Sequence, residues 1–70
     1  MTSTHNITVN GEPRSLPKTT TVAELLTVLE LPPTGLAVAV NMDVIPRSEH
    51  DQYVIPSDAR VEVIRAVGGG

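Results

Sequence analysis

A single stretch of this chain carries apolar residues at helical spacing. Val22, Leu25, Leu26 and Leu29 recur so that they line one stripe of a helix. A lone amphipathic helix cannot bury such a stripe by itself and has to lie on another layer. The other apolar segments read as strands, so the chain is constrained to one helix across one face of a small sheet. The start of that helix is written in Thr21-Val22-Ala23-Glu24, a capping box. Here the Thr21 hydroxyl accepts from the Glu24 N–H, and the Glu24 carboxylate reaches back to the Thr21 N–H. Pro32-Pro33 stops the helix, and Gly35 helps the chain turn.

The strands follow from shorter patterns. His5 to Val9 alternates, with Ile7 and Val9 on one face. Asn10-Gly11 then gives a two-residue hairpin, because both residues tolerate positive φ. The return strand, Glu12 to Leu16, contains Pro13, which cannot donate to a ladder, so it belongs at an edge. Leu36 to Val40 is a strand with Leu36, Val38 and Val40 toward the helix and Ala37 and Ala39 on the opposite face. Asn41-Met42-Asp43 turns the chain into a short strand at Val44-Ile45, ended by Pro46. Arg47 to Gln52 has room for one helical turn, Pro56-Ser57-Asp58 is a turn, and Arg60 to Val67 is the last strand, with Val61 and Val63 inward. The element order is β-β-α-β-β-β.

Composition narrows the function. The chain has 70 residues, one domain at most, with 40% hydrophobic residues and a net charge of -3. A domain this small hides only about 60% of its unfolded surface, which leaves little room for a deep catalytic cleft. There are no cysteines, which excludes disulfides, thiolate metal sites and cysteine nucleophiles. Tyr53 is the only aromatic residue, and Lys and Arg number five. Base-stacking nucleic-acid modules need aromatic platforms and phosphate binders need clustered cations, so no nucleic-acid partner is expected. The longest apolar run, Leu36 to Val40, is too short to span a bilayer, and no signal core is visible; no membrane partner is expected and the cytoplasm is the expected compartment.

The chemistry-bearing candidates are few. His5 and His50 have no ligand spacing around them and read as surface histidines, so no metal site is expected. Asp43, Glu49, Asp51 and Asp58 read as a solvated acidic face. Ser48, Glu49 and His50 are neighbours in sequence, which does not make a triad. Ala37 and Ala39, joined by Ile64, would form a flat apolar patch on the uncovered sheet face, a candidate docking surface. Gly68-Gly69-Gly70 follows Val67. No helix follows these glycines, so they are not a phosphate loop. Bare backbone suits a tail that threads a narrow channel in a partner, with the Gly70 carboxylate as the reactive group.

The hairpin, the capped helix, Val38-Ala39-Val40-Asn41, Val44-Ile45-Pro46-Arg47-Ser48-Glu49 and the final strand ending in Gly-Gly together resemble the ThiS family, the sulfur carriers of thiazole biosynthesis. The resemblance covers nearly the whole chain. It implies an α+β fold, the ubiquitin-like β-grasp: a small mixed sheet with the first and last strands parallel at its centre and one helix across one face. Residues 1–67 would form that domain, and 68–70 a flexible C-terminal tail. Two turns depart from the family pattern. Asn41-Met42-Asp43 stands where a glycine is frequent, and Pro56-Ser57-Asp58 where Asp-Gly is common. Gly68 is a third glycine where the family needs two.

The resemblance also implies a chemistry. A ThiF-type adenylating enzyme would use ATP and magnesium to convert the Gly70 carboxylate to an acyl-adenylate. Sulfur from a cysteine desulfurase-derived persulfide would displace AMP, and the resulting thiocarboxylate would serve thiazole synthase, ThiG. The chain itself would be a protein co-substrate, not an enzyme, with no bound cofactor. Gly68 and Gly69 would thread into partners, and Ala37, Ala39, Ile64, Arg65 and Val67 would dock them. Three alternatives stay open on the sequence. The molybdopterin-synthase small subunit has the same fold and ending but is usually longer and richer in aromatics. A ubiquitin-like modifier, joined to lysines of its targets, starts with the same chemistry. An interaction module with an inert tail belongs to a different class.

Overall fold

The computed structural model describes residues 3–32 and 35–65. Their elements are β1 (Thr4–Val9), β2 (Glu12–Pro17), α1 (Val22–Val28), β3 (Leu36–Val40), β4 (Asp43–Ile45), a 3-10 turn at Arg47–Glu49, and β5 (Arg60–Arg65). The five strands form one sheet in the order β2-β1-β5-β3-β4. β1 and β5 run parallel, Thr8 beside Arg60 and Val9 beside Val61, while the other pairs are antiparallel. This is the β-grasp arrangement, with the last strand at the centre and the proline-bearing β2 at an edge. No described helix is long and apolar enough to cross a membrane.

Local chemistry explains most of the element ends. Asn10 and Gly11 both adopt positive φ, 51° and 86°, and close β1 onto β2 with Val9 opposite Glu12. The β3–β4 hairpin repeats the device: Asn41 and Met42 have φ of 51° and 73°, and Val40 pairs with Asp43. Asp43 is therefore the first residue of β4 and not part of the turn, which has two residues. The capping box forms as the sequence predicts: Glu24 N–H donates to Thr21 Oγ1 at 3.2 Å, and Thr21 N–H donates to Glu24 Oε1 at 2.9 Å. The helix stops earlier than Pro32. Leu31 N–H donates to the Leu26 carbonyl and Glu30 N–H to the Thr27 carbonyl, both at 3.0 Å, with Glu30 at φ 58°. This Schellman closure needs a left-handed residue after the cap, here supplied by Glu30 instead of the usual glycine. Leu29 consequently caps the helix and is only partly buried.

The core lies between α1 and the sheet. Val22, Leu25 and Leu26 pack with Ile7, Val9, Val38, Val40 and Val61, all buried, as the phases of helix and strands require. Ile55, Ala59, Ile45 and Leu16 complete the cluster. Ile55 is fully buried although it belongs to no strand. Backbone bonds from Val22 N–H to the Tyr53 carbonyl and from Ile55 N–H to the Thr20 carbonyl hold its segment against the start of α1.

Candidate functional site

The face of the sheet turned away from α1 carries the candidate docking residues. Register fixes its layout. Ala37 lies opposite Ile64, Ala39 opposite Glu62 on one side and opposite Val44 on the other. Cross-strand neighbours of this kind lie about 4.5–5.5 Å apart and their diagonals about 7–8 Å, so Ile64, Ala37, Ala39 and Val44 form one continuous apolar surface. Ile64 is 60% exposed and Val44 72% exposed. Ala37 is exposed and Ala39 half-buried between its neighbours. Val44 was not among the residues the sequence singled out for docking. Its signal is simple alternation, since an inward Ile45 turns Val44 outward.

The remainder of this face is polar apart from Pro13 and Pro17 on β2. Asn6 and Thr8 on β1, Ser15 on β2, and Arg60 and Glu62 on β5 alternate with inward residues, so the apolar surface lies on β3, β4 and the Ile64 end of β5, with Arg60 and Glu62 along its border. Arg65 is exposed but shares its phase with Val61 and Val63, opposite Leu36. Alternation therefore places it on the helix side of the sheet, not beside Ile64. Val67, Gly68, Gly69 and Gly70, and with them the boundary expected at residue 68, lie outside the described residues.

Both histidines correct the sequence reading: neither is a surface residue. His5 is 9% exposed and His50 6%. His5 follows the inward phase of Ile7 and Val9, and its Nε2 has no partner among the described residues. His50 ends the 3-10 turn with Nε2 3.0 Å from the Ile45 carbonyl. A carbonyl only accepts, so that nitrogen carries the proton and donates. The ring is thereby turned into the structure, away from any partnership with Ser48, which is exposed. Asp43, Glu49, Asp51 and Asp58 are exposed. Among the described residues no group of three or more His, Asp or Glu side chains is placed to hold a metal ion. An open groove of about 360 Å³ lies beside the junction of α1 and the 3-10 turn, where Ala23 N–H donates to the His50 carbonyl, with Leu26 and Leu31 on its apolar side and Arg47 and Asp51 on its polar side. It lies apart from the exposed sheet face.

The described residues thus present an exposed apolar sheet face beside the central strand β5, the last described element before the glycines in the sequence. Comparison with known proteins gives the family. A solved thiamine biosynthesis protein, ThiS, from Geobacter metallireducens superposes with a TM-score of 0.79 and is 31% identical, the match covering 93% of this chain and 99% of that one. Two thiazole synthases are similar over 64 residues, one from Paramagnetospirillum magneticum at 30% identity and one from Magnetococcus marinus at 36%. In each the match covers 91% of this chain but 20% of the relative, so the chain spans about a fifth of their length. The model of the ThiS family matches residues 7–70, nearly the whole sequence, terminal glycines included. By that match and by the fold, the chain belongs to the ThiS family.

Proposed function

We propose that the chain is a sulfur carrier of thiamine biosynthesis whose reactive group is the Gly70 carboxylate. The observation that carries this reading is the family match, which extends over residues 7–70 and so takes in Gly68-Gly69-Gly70. A carboxylate is a poor acyl donor because its oxygen is a poor leaving group. Attack of a Gly70 oxygen on the α-phosphorus of ATP expels pyrophosphate and leaves an acyl-adenylate, whose AMP departs readily. The terminal sulfur of a persulfide then displaces AMP to give an acyl disulfide. A thiol from a partner or a small-molecule reductant attacks the S–S bond, taking the cysteine that bore the persulfide into a disulfide and releasing the terminal thiocarboxylate. A ThiF-type enzyme, with ATP and magnesium, performs the activation, and a cysteine desulfurase supplies the persulfide. The chain contributes a docking face and a substrate group, and the catalytic residues are its partners'.

The exposed surface of Ala37, Ala39, Ile64 and Val44 docks the adenylating enzyme, with Arg65 and Val67 contacting it nearer the tail. Gly68 and Gly69 offer a backbone without Cβ atoms to a channel too narrow for side chains. Thiazole synthase consumes the sulfur. The two similar thiazole synthases support that partnership, because each includes a stretch like this chain within its own longer polypeptide.

The test is intact mass after incubation with ATP, a ThiF-type enzyme, a persulfide source and a thiol reductant. The expected product gains the mass difference between sulfur and oxygen at Gly70. Lysine-linked conjugates would show a ubiquitin-like modifier instead, and an unchanged mass an inert tail. Deleting Gly70 withdraws the carboxylate by about 3.3–3.6 Å of extended chain. Reacting atoms have to approach within about 3–3.5 Å, so the deletion abolishes ATP–pyrophosphate exchange. Normal exchange by that variant would refute the reading.

A further inference from the structure

β5 lies at the centre of the sheet and is the last described element before the glycines. Its parallel ladder with β1 is short, only Thr8 with Arg60 and Val9 with Val61, because β1 ends at the Asn10-Gly11 turn. Past that turn no strand residue is left to pair with Val63, and the Asn10 side chain takes the place of one. Val63 N–H donates to Asn10 Oδ1 at 2.9 Å, and Asn10 Nδ2 donates to the Val63 carbonyl at 3.2 Å. The Asn10 backbone N–H also donates to the Val61 carbonyl at 2.9 Å. A primary amide has one acceptor and donors on a single planar group, so it reproduces the edge of a peptide unit. Aspartate has no donor for the carbonyl, and glycine has neither group. Asparagine also tolerates the φ of 51° that the turn imposes.

A second asparagine holds the other end of the strand. Arg60 N–H donates to Asn41 Oδ1 at 2.9 Å, and Asn41 N–H donates to the Arg60 carbonyl at 2.8 Å. β5 is thus pinned at Arg60 from the β3 side and at Val63 from the β1 side. Val63 immediately precedes Ile64 of the apolar surface. The seven residues from Ile64 to Gly70 span at most about 23–25 Å when extended.

We propose that Asn10 is a positioning residue for the C-terminal chemistry: β3 holds β5 on one side through Arg65, and the Asn10 amide holds Val63 on the other, which fixes the course of the strand beside the docking face. The proposal rests on the carrier reading. A partner seated on Ile64 holds the body of the protein, and the carboxylate has to arrive at one place relative to it. With Val63 held from both sides, the direction in which β5 runs past the docked surface is set. With Val63 released, fewer docked molecules present the carboxylate in reacting geometry, an orientation loss that leaves docking intact.

The test uses the full chain with its cognate adenylating enzyme, combining amide hydrogen exchange with ATP–pyrophosphate exchange at varied carrier concentration. Asn10→Gly keeps the left-handed turn and removes the amide. Val63 exchange should rise and kcat should fall, each by about two- to tenfold, the worth of one net hydrogen bond. KM should not change, and the protection of Ile7 and Val38 should persist. Asn10→Asp, which keeps the acceptor, should show the same pattern with a smaller fall. Asn41→Gly, which loosens the far end of β5, should leave kcat unchanged. The proposal is overturned if Asn10→Gly keeps its kcat, if only KM rises, if Val63 stays protected, or if Asn41→Gly loses as much kcat. Absence of exchange by the unaltered protein would refute the carrier reading and this proposal with it; normal exchange by that protein with unaltered kinetics in both Asn10 variants refutes this proposal alone.

Discussion

The two hairpins pose the same backbone problem and answer it with different residues. Each loop has two residues with positive φ, Asn10-Gly11 in one and Asn41-Met42 in the other. Met42 sits at φ 73°, where its Cβ crowds the backbone, and a left-handed conformation costs such a residue about 1–2 kcal/mol. Replacement by glycine removes that strain and returns about 0.5–1 kcal/mol as extra chain entropy lost on folding. Met42 is 81% exposed, so its side chain contributes little burial. Met42→Gly should therefore stabilise the protein by roughly 0.5–1 kcal/mol. In a domain of this size that is about 2–8 °C in Tm. The reverse exchange, Gly11→Met, should lose a similar amount. A Cβ built at Gly11 meets nothing within 4 Å, so the loss there comes from the backbone alone. Thermal melts followed by circular dichroism, with urea titrations to confirm an unchanged m-value, measure both variants. A Tm for Met42→Gly equal to or below that of the parent would refute the strain argument.

Two further outcomes test the core and the exposed face. Leu25 is fully buried under the sheet, so Leu25→Ala should cost about 2–5 kcal/mol, while Val28→Ala, at a position 54% exposed on the same helix, should change denaturant stability far less; equal effects would show that the helix face is misassigned. Ile64→Asp should leave the melt near that of the parent and raise KM in ATP–pyrophosphate exchange at unchanged kcat, whereas an unfolded variant would place Ile64 in the core.

What could be read from the sequence was what neighbours in the chain decide. The Asn10-Gly11 hairpin, the Thr21–Glu24 capping box and the strand faces around Val38 and Val61 depend on residues a few positions apart, and each has a periodic or turn signature. The parallel union of β1 and β5 joins residues about fifty positions apart, and only the family resemblance supplied it. Ile55 shows a different limit. It lies between Val54 and Pro56 in a segment without periodicity, and backbone bonds to Thr20 and Val22 press it into the core. The helix end was hidden because Glu30 does the work of a glycine. His5 could have been found by extending the phase of Ile7 and Val9 by one step, but a polar side chain there suggested the surface. Of the site, Ala37 and Ile64 were legible from alternation. The Asn10 bridge to Val63 was not, since a side chain that completes a ladder leaves no periodic trace.

The placement of prolines in β2 bears on how this protein avoids its own copies. In a two-residue hairpin Val9 and Glu12 form a hydrogen-bonded pair, so the pairs of Thr8 with Pro13, Asn6 with Ser15 and Thr4 with Pro17 are the non-bonded ones. At those positions of β2 the N–H would point away from β1, toward any strand arriving from outside. Two of the three are prolines and have no N–H to offer. The ladder to β1 loses nothing, while an incoming strand finds a single donor, that of Ser15. At the opposite border, β4 is only three residues long and ends at Pro46. A molecule that keeps an apolar face open for its partners thus has both sheet borders poor in the groups that seed fibrils, so self-association through strand addition is disfavoured while the face itself stays accessible.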